Sequence, residues 1–161
     1  MAELSAEALA VLETLRETFK DAGHGLWDEA GESMASPTRV EWIKSLRSKG
    51  LDSLDSHDLD LIMWRAMTTV GSEETFKYFL GPFIEAVIAE PSYGWTTQAH
   101  VLSGKLEYAG VGDWREAERR AVAAAMKLVA EVYMLINESE GAPDDDARRL
   151  RSWAMAELAR S

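Results

Sequence analysis

Residues 58–87 read DLDLIMWRAMTTVGSEETFKYFLGPFIEAV, and this stretch decides the fold class. Leu59, Ile62, Met63, Ala66, Met67 and Val70 recur at the spacing of one helical face. After Thr68-Thr69-Val70-Gly71-Ser72, the same spacing returns in Phe76, Phe79, Leu80, Phe83, Ile84 and Val87. Two apolar helices joined at a corner are therefore expected. The first should end near Gly71 in a left-handed cap. Ser72 should cap the second, with Glu73 and Glu74 at its positive end. Leu61 and Trp64 give the first helix a second apolar face, which predicts a central position for it. Gly81-Pro82 should interrupt or kink the second, because Pro82 has no N–H for the Tyr78 carbonyl.

Outward from this pair the pattern stays helical. Leu4, Ala8, Val11, Leu12, Leu15 and Phe19 form one stripe over residues 5–20. Residues 21–35 are rich in Gly and small side chains and read as a long connection that Trp27 pins to the core. Ser36-Pro37 starts a helix with Val40, Ile43 and Leu46 that stops at Gly50. Asp55 or Ser56 can cap the next. A loop at 91–95 precedes a short helix closing at Ala109-Gly110.

Asp113 and Glu116 form a capping-box pattern ahead of the longest helix, which runs to about Asn137. One of its faces carries Ala121, Ala124, Ala125, Leu128, Val132 and Leu135, and another Val122, Met126, Val129 and Tyr133. A final helix opens at Asp144 to Asp146 and carries Leu150, Trp153, Ala154 and Leu158. No segment alternates with period two, so no strand is expected. The reading is all-α: one domain over 1–161, a compact orthogonal bundle of six or seven helices, with an irregular two-helix solenoid as the alternative. Met67, Phe79, Phe83, Leu128 and Val132 are the expected core.

Composition narrows function by exclusion. The 161 residues are 47% apolar, enough for one substantial core, and carry a net charge of −11. Phosphate backbones and anionic membrane surfaces repel such a chain, so neither nucleic acid nor membrane is expected as a partner, whereas a basic protein is compatible. There is no cysteine, which removes disulfides, thiolate catalysis and thiolate metal sites. The first residues lack a basic stretch followed by an apolar run, so no signal peptide is expected and the cytoplasm is the expected location.

No phosphate loop, HExxH, GxSxG or EF-hand spacing occurs. His24, His57 and His100 stand apart from one another. Asp52, Asp55, Asp58 and Asp60 around His57 could in principle hold a hard cation, but turn formation and capping account for them, so no metal and no cofactor is expected. Two candidate sites are left. The corner at Thr68, Thr69, Gly71 and Ser72 offers helix N–H groups and hydroxyls to an anion, and equally reads as a tight structural cap. Tyr93, Trp95, His100, Lys105 and Tyr108 mix aromatic and polar groups, as a partner anchor or pocket lining does, and equally read as a cover over the core.

The segment Ala66-Met67-Thr68-Thr69-Val70-Gly71, then Phe76-Lys77-Tyr78-Phe79-Leu80 and Pro82, Gly104-Lys105-Leu106, Tyr108-Ala109-Gly110, and Trp114 through Glu118-Arg119 resemble the motifs of an uncharacterised bacterial all-helical family. That family's pattern has Trp where this chain has Val70, a further Trp near Val111, and no counterpart of Gly81. The resemblance implies a helical fold and carries no catalytic or binding residue with it. Two function classes follow. The first is a non-catalytic acidic protein that recognises a protein partner, of toxin-neutralising or regulatory type. The second is a small-ligand binder or enzyme using one of the two candidate sites.

Overall fold

The computed structural model describes residues 5–22, 41, 44–46, 48, 49, 53–65, 67, 72–91, 99–139 and 145–160. Among the described residues six α-helices are bounded: α1 (Ala6–Phe19), α2 (Ser56–Arg65), α3 (Glu73–Ala89), α4 (Ala99–Tyr108), α5 (Glu116–Ser139) and α6 (Asp145–Leu158). A 3-10 turn, Val111–Asp113, precedes α5, and no strand occurs among the described residues. The all-α class is as expected. The connection at 23–40, with Trp27 and the Ser36-Pro37 start, lies outside the described residues, as do Thr68, Thr69, Val70 and Gly71.

Among the described helices α3 packs against α1, α2 and α5, and the long α5 against α1, α3, α4 and α6. Phe76, Phe79, Leu80, Phe83, Ile84 and Val87 are all buried, as their spacing predicts. Centrality was expected of α2, but among the described helices α2 packs chiefly on α3. Its second apolar face does not enter the core: Trp64 is half exposed and Leu61 partly buried. α2 also ends sooner than expected, at Arg65, and Met67 takes the left-handed conformation with φ 66°. Apolar spacing continues past the point where the backbone turns, so periodicity could not locate the end. Asp55, rather than Ser56, is the cap. Its Oδ1 accepts the Asp58 N–H at 2.8 Å while Asp58 Oδ2 accepts the Asp55 N–H at 3.3 Å. Lys49 Nζ pairs with the same Asp58 at 2.5 Å.

Of the interruption or kink expected at Gly81-Pro82, the interruption is absent: α3 runs on through both residues, with Pro82 inside the helix. Gly81 serves packing instead. A Cβ there would lie 3.0 Å from Arg16 Cγ and 3.7 Å from Arg16 Cα, so the missing side chain lets α1 approach α3 closely. Pro82 leaves the Tyr78 carbonyl without its helical donor, and Ala would restore that N–H. Pro82→Ala should therefore leave the melting temperature unchanged or raise it. A marked fall would show that the proline ring's contacts outweigh the missing hydrogen bond.

In α5 the core face is Val122, Met126, Val129 and Tyr133, joined by Ala121 and Ala125. Leu128 and Val132, expected in the core, are only partly buried, and Leu135 is 69% exposed. The helix carries two apolar stripes, and which one is buried depends on where α1 and α6 lie against it. Met67, also expected in the core, packs against it while partly exposed. α6 lies along α5 and buries Ala147, Leu150 and Ala154.

Candidate functional site

Helix α4 presents two faces. Ala99, Leu102, Leu106 and Ala109 are buried. Val101, Gly104, Lys105 and Tyr108 stand at i, i+3, i+4 and i+7 and form a second stripe. That stripe faces the last turn of α2. Together with Trp64 and Met67 it lines a cleft of about 410 Å3. Trp64 is 51% and Tyr108 69% exposed, so two large aromatic side chains stand at the surface of one concavity. Nothing lies within 4 Å of where a Gly104 Cβ would be, so the cleft stays open there. Burial pushes the Lys105 amine below its ordinary value.

Tyr108 also lines a second recess of about 610 Å3, formed where the start of α3 meets the 3-10 turn and the start of α5. Its walls carry the carboxylates of Glu73, Glu74, Asp113 and Glu118 and the cations of Lys77 and Arg115. The Lys77 ammonium is buried, 2.8 Å from Glu73, 3.4 Å from Glu74 and 3.7 Å from Glu118. It stands 4.5 Å from the centroid of the Trp114 ring, within cation–π range. Burial pulls this amine down, but the hydrogen bond to Glu73 and the charges of Glu73, Glu118 and Glu74 outweigh it, and the net shift is upward. Glu118 accepts from the Arg115 guanidinium at 2.9 Å and from the Arg115 backbone N–H at 3.0 Å. The guanidinium holds its carboxyl below the usual range.

Trp114 fixes the floor of the recess. Its ring packs on Phe19 at 5.8 Å and Phe76 at 6.4 Å between centroids, and its Nε1–H donates to the Ala109 carbonyl at 3.0 Å. Of the capping box expected from Asp113 and Glu116, only one half forms, and two residues later: the Glu118 carboxylate accepts the Arg115 backbone N–H, while the Arg115 side chain, a donor only, cannot return the bond. Asp113 is taken up by the 3-10 turn, and α5 starts at Glu116.

Of the residues singled out from sequence, Lys105 and Tyr108 come together in the apolar cleft. His100 lies on the first turn of α4 with Nδ1 4.0 Å from Asp146 Oδ2, at the surface rather than in the cleft. Ser72 is the N-cap of α3, and its N–H donates to Thr75 Oγ1 at 3.2 Å. Thr68, Thr69, Gly71, Tyr93 and Trp95 lie outside the described residues. Sequence reasoning missed Trp64, Met67 and the Lys77–Glu118 pair. Lys77 stands four residues after Glu73 and Glu118 three after Arg115, spacings that signal ion pairs on a helix but say nothing of burial. Among the described residues no group of three or more His, Asp or Glu side chains is placed to hold a metal, and no helix is long and apolar enough to cross a membrane.

The fold and the two recesses define an all-helical protein with a mixed aromatic and acidic surface where the end of α2, α4 and the starts of α3 and α5 lie around Tyr108. No family model, no curated protein and no solved structure matches the chain.

Proposed function

We propose that this chain is a non-catalytic binding protein that recognises a basic protein partner through the surface divided by Tyr108. The observation that carries this reading is the adjacency of the two recesses. One side of Tyr108 offers Trp64, Met67 and Val101 to an apolar anchor, and the other offers Glu73, Glu74 and Asp113 to a cation. Exposed Trp and Tyr at a concavity are the residue types that dominate binding energy in protein interfaces. The net charge of −11 favours a basic partner and would steer its approach, making association fast and salt-sensitive. A toxin-neutralising or regulatory role in the cytoplasm suits such a surface, and the same charge disfavours nucleic acid and anionic membranes. Membership of the bacterial helical family is proposed on its motifs alone, two of which fall on α4 and the turn that closes it.

The test is affinity capture from native-cell extract at low and high ionic strength, with wild type, Trp64→Ala and Tyr108→Ala as baits. A basic protein should be retained by wild type, released by salt and lost by both variants. Recovery of no partner, or of one that ignores both salt and the substitutions, overturns the reading. A cleft of about 410 Å3 also falls within the size range of small-molecule sites. Co-purification of a small compound with wild type and not with Trp64→Ala would move the assignment to the ligand-binding alternative.

A further inference from the structure

A third recess, of about 450 Å3, lies where α4 and the 3-10 turn meet α6, on the flank of α4 opposite the Tyr108 surface. Leu106, Val111 and Leu150 are buried and give it an apolar floor. The partly buried Trp153 ring makes one wall, and Glu107 and Arg149 stand exposed at the rim. An apolar hollow of this volume with a few polar groups at its edge has the make-up of a small-molecule site.

Two observations bear on what it holds. The first is Gly112, a glycine that neither conformation nor packing requires. It is not left-handed, as Gly110 is, and nothing lies within 4 Å of where its Cβ would be. Glycine in an ordered turn costs chain entropy, and here its bareness keeps the recess open. The second is the charge at the rim. The Arg149 guanidinium is balanced by Asp146 at 3.8 Å, whereas the Glu107 side chain makes no ion pair or hydrogen bond among the described residues. The recess thus sets an unbalanced carboxylate beside an indole, the aromatic group that attracts cations best.

We propose that this recess binds a small aromatic cation. Its ring system sits against Trp153 and the floor of Leu106, Val111 and Leu150, and its ammonium group is held at the rim by Glu107. The net charge of −11 draws cations toward the site. The site is separate from the Tyr108 surface and does not depend on the protein-binding reading.

The test is calorimetric titration of the full-length protein at pH 7 with three indoles of similar shape and different charge: tryptamine, 3-methylindole and indole-3-acetate. Wild type should bind tryptamine about fivefold more tightly than 3-methylindole, the scale of an ion pair at an exposed carboxylate, and indole-3-acetate more weakly than either. Glu107→Gln should erase the preference for tryptamine and leave the affinity for 3-methylindole unchanged. Gly112→Leu places a side chain in open space, so it should abolish binding at an unchanged melting temperature. Trp64→Ala, across α4, should change nothing. Binding of no probe, or binding that survives Gly112→Leu, overturns the site. Equal affinities, a preference for the anion, or a preference for tryptamine that Glu107→Gln leaves intact overturns the assignment of a cation. If Gly112→Leu lowers the melting temperature, Glu107→Gln decides alone, because an exposed side chain with no partner to lose does not unfold the protein: loss of the preference supports the proposal and its persistence overturns it.

Discussion

Phe83→Ala should destabilise the protein by about 3–5 kcal/mol, the sum of lost transfer energy and the cavity left behind. Phe83 has no exposed surface and sits on α3 near its closest approach to α1, on the one described helix that packs against α1, α2 and α5 together. A cavity there has walls from several helices, and no single helix can move in to fill it without leaving another contact. At this chain length the loss corresponds to a fall in melting temperature on the order of 10 °C. Leu135→Ala is the control. Leu135 is of similar apolar character but 69% exposed, and its truncation should stay within about 0.5 kcal/mol. Equal effects for the two would mean that the packing around α3 is wrong.

The contrast between Phe83 and Leu135 shows what the pattern of apolar residues can report. On α3 the apolar residues occupy one stripe, so spacing and burial coincide from Phe76 to Val87. On α1, Leu12, Leu15 and Phe19 behave in the same way. α5 is alanine-rich and has two stripes. Spacing alone cannot choose between Val122, Met126, Val129 and Tyr133 on one and Leu128, Val132 and Leu135 on the other, because the choice is made by tertiary neighbours. α2 shows the converse. Trp64 looks like core by its spacing, yet it stands on the last turn of α2 with half its surface exposed, and that exposure is what gives the cleft its aromatic wall.

The candidate site was legible only in part for a related reason. Lys105 and Tyr108 attracted notice as polar and aromatic residues near a loop, but their real relation is helical, at i and i+3 on an exposed stripe. Their partner Trp64 lies some forty residues earlier in the chain, and no local rule links the two. The acidic recess was hidden differently. Glu73 and Glu74 read as charges suited to a helix start, which they are, while the burial of Lys77 between them and Glu118 is a product of packing. Arg115 is an unfavoured N-cap residue, so the pattern pointed to Asp113 instead. The cap at Arg115 works because the side chain of Glu118 reaches back to the N–H, leaving the capping residue's own side chain free to bind the same carboxylate.

That carboxylate makes the stability of the junction depend on pH in a defined direction. In the folded chain the Glu118 carboxyl is held below its ordinary value of 4.5, first by the hydrogen bond from the Arg115 side chain, then by the Arg115 backbone N–H and the charge of Lys77. A group whose pKa is depressed on folding contributes stability above its unfolded value and loses it as pH falls through the folded one. Glu118→Gln keeps the shape and one acceptor but removes the charge from a side chain only 7% exposed. It should cost about 1–3 kcal/mol at pH 7, the scale of a hydrogen bond to a charged group. As pH drops below 4.5 the wild-type carboxyl takes up its proton and comes to resemble the amide, so the two melting temperatures should converge. Lys77, whose pKa is raised, stays charged throughout this range and does not confuse the comparison. Thermal melts of both proteins from pH 7 to pH 3 provide the measurement. A difference that persists unchanged into acid would mean that Glu118 holds the start of α5 by shape alone. Its charge would then have no part in fixing Trp114 and Lys77 at the edge of the binding surface.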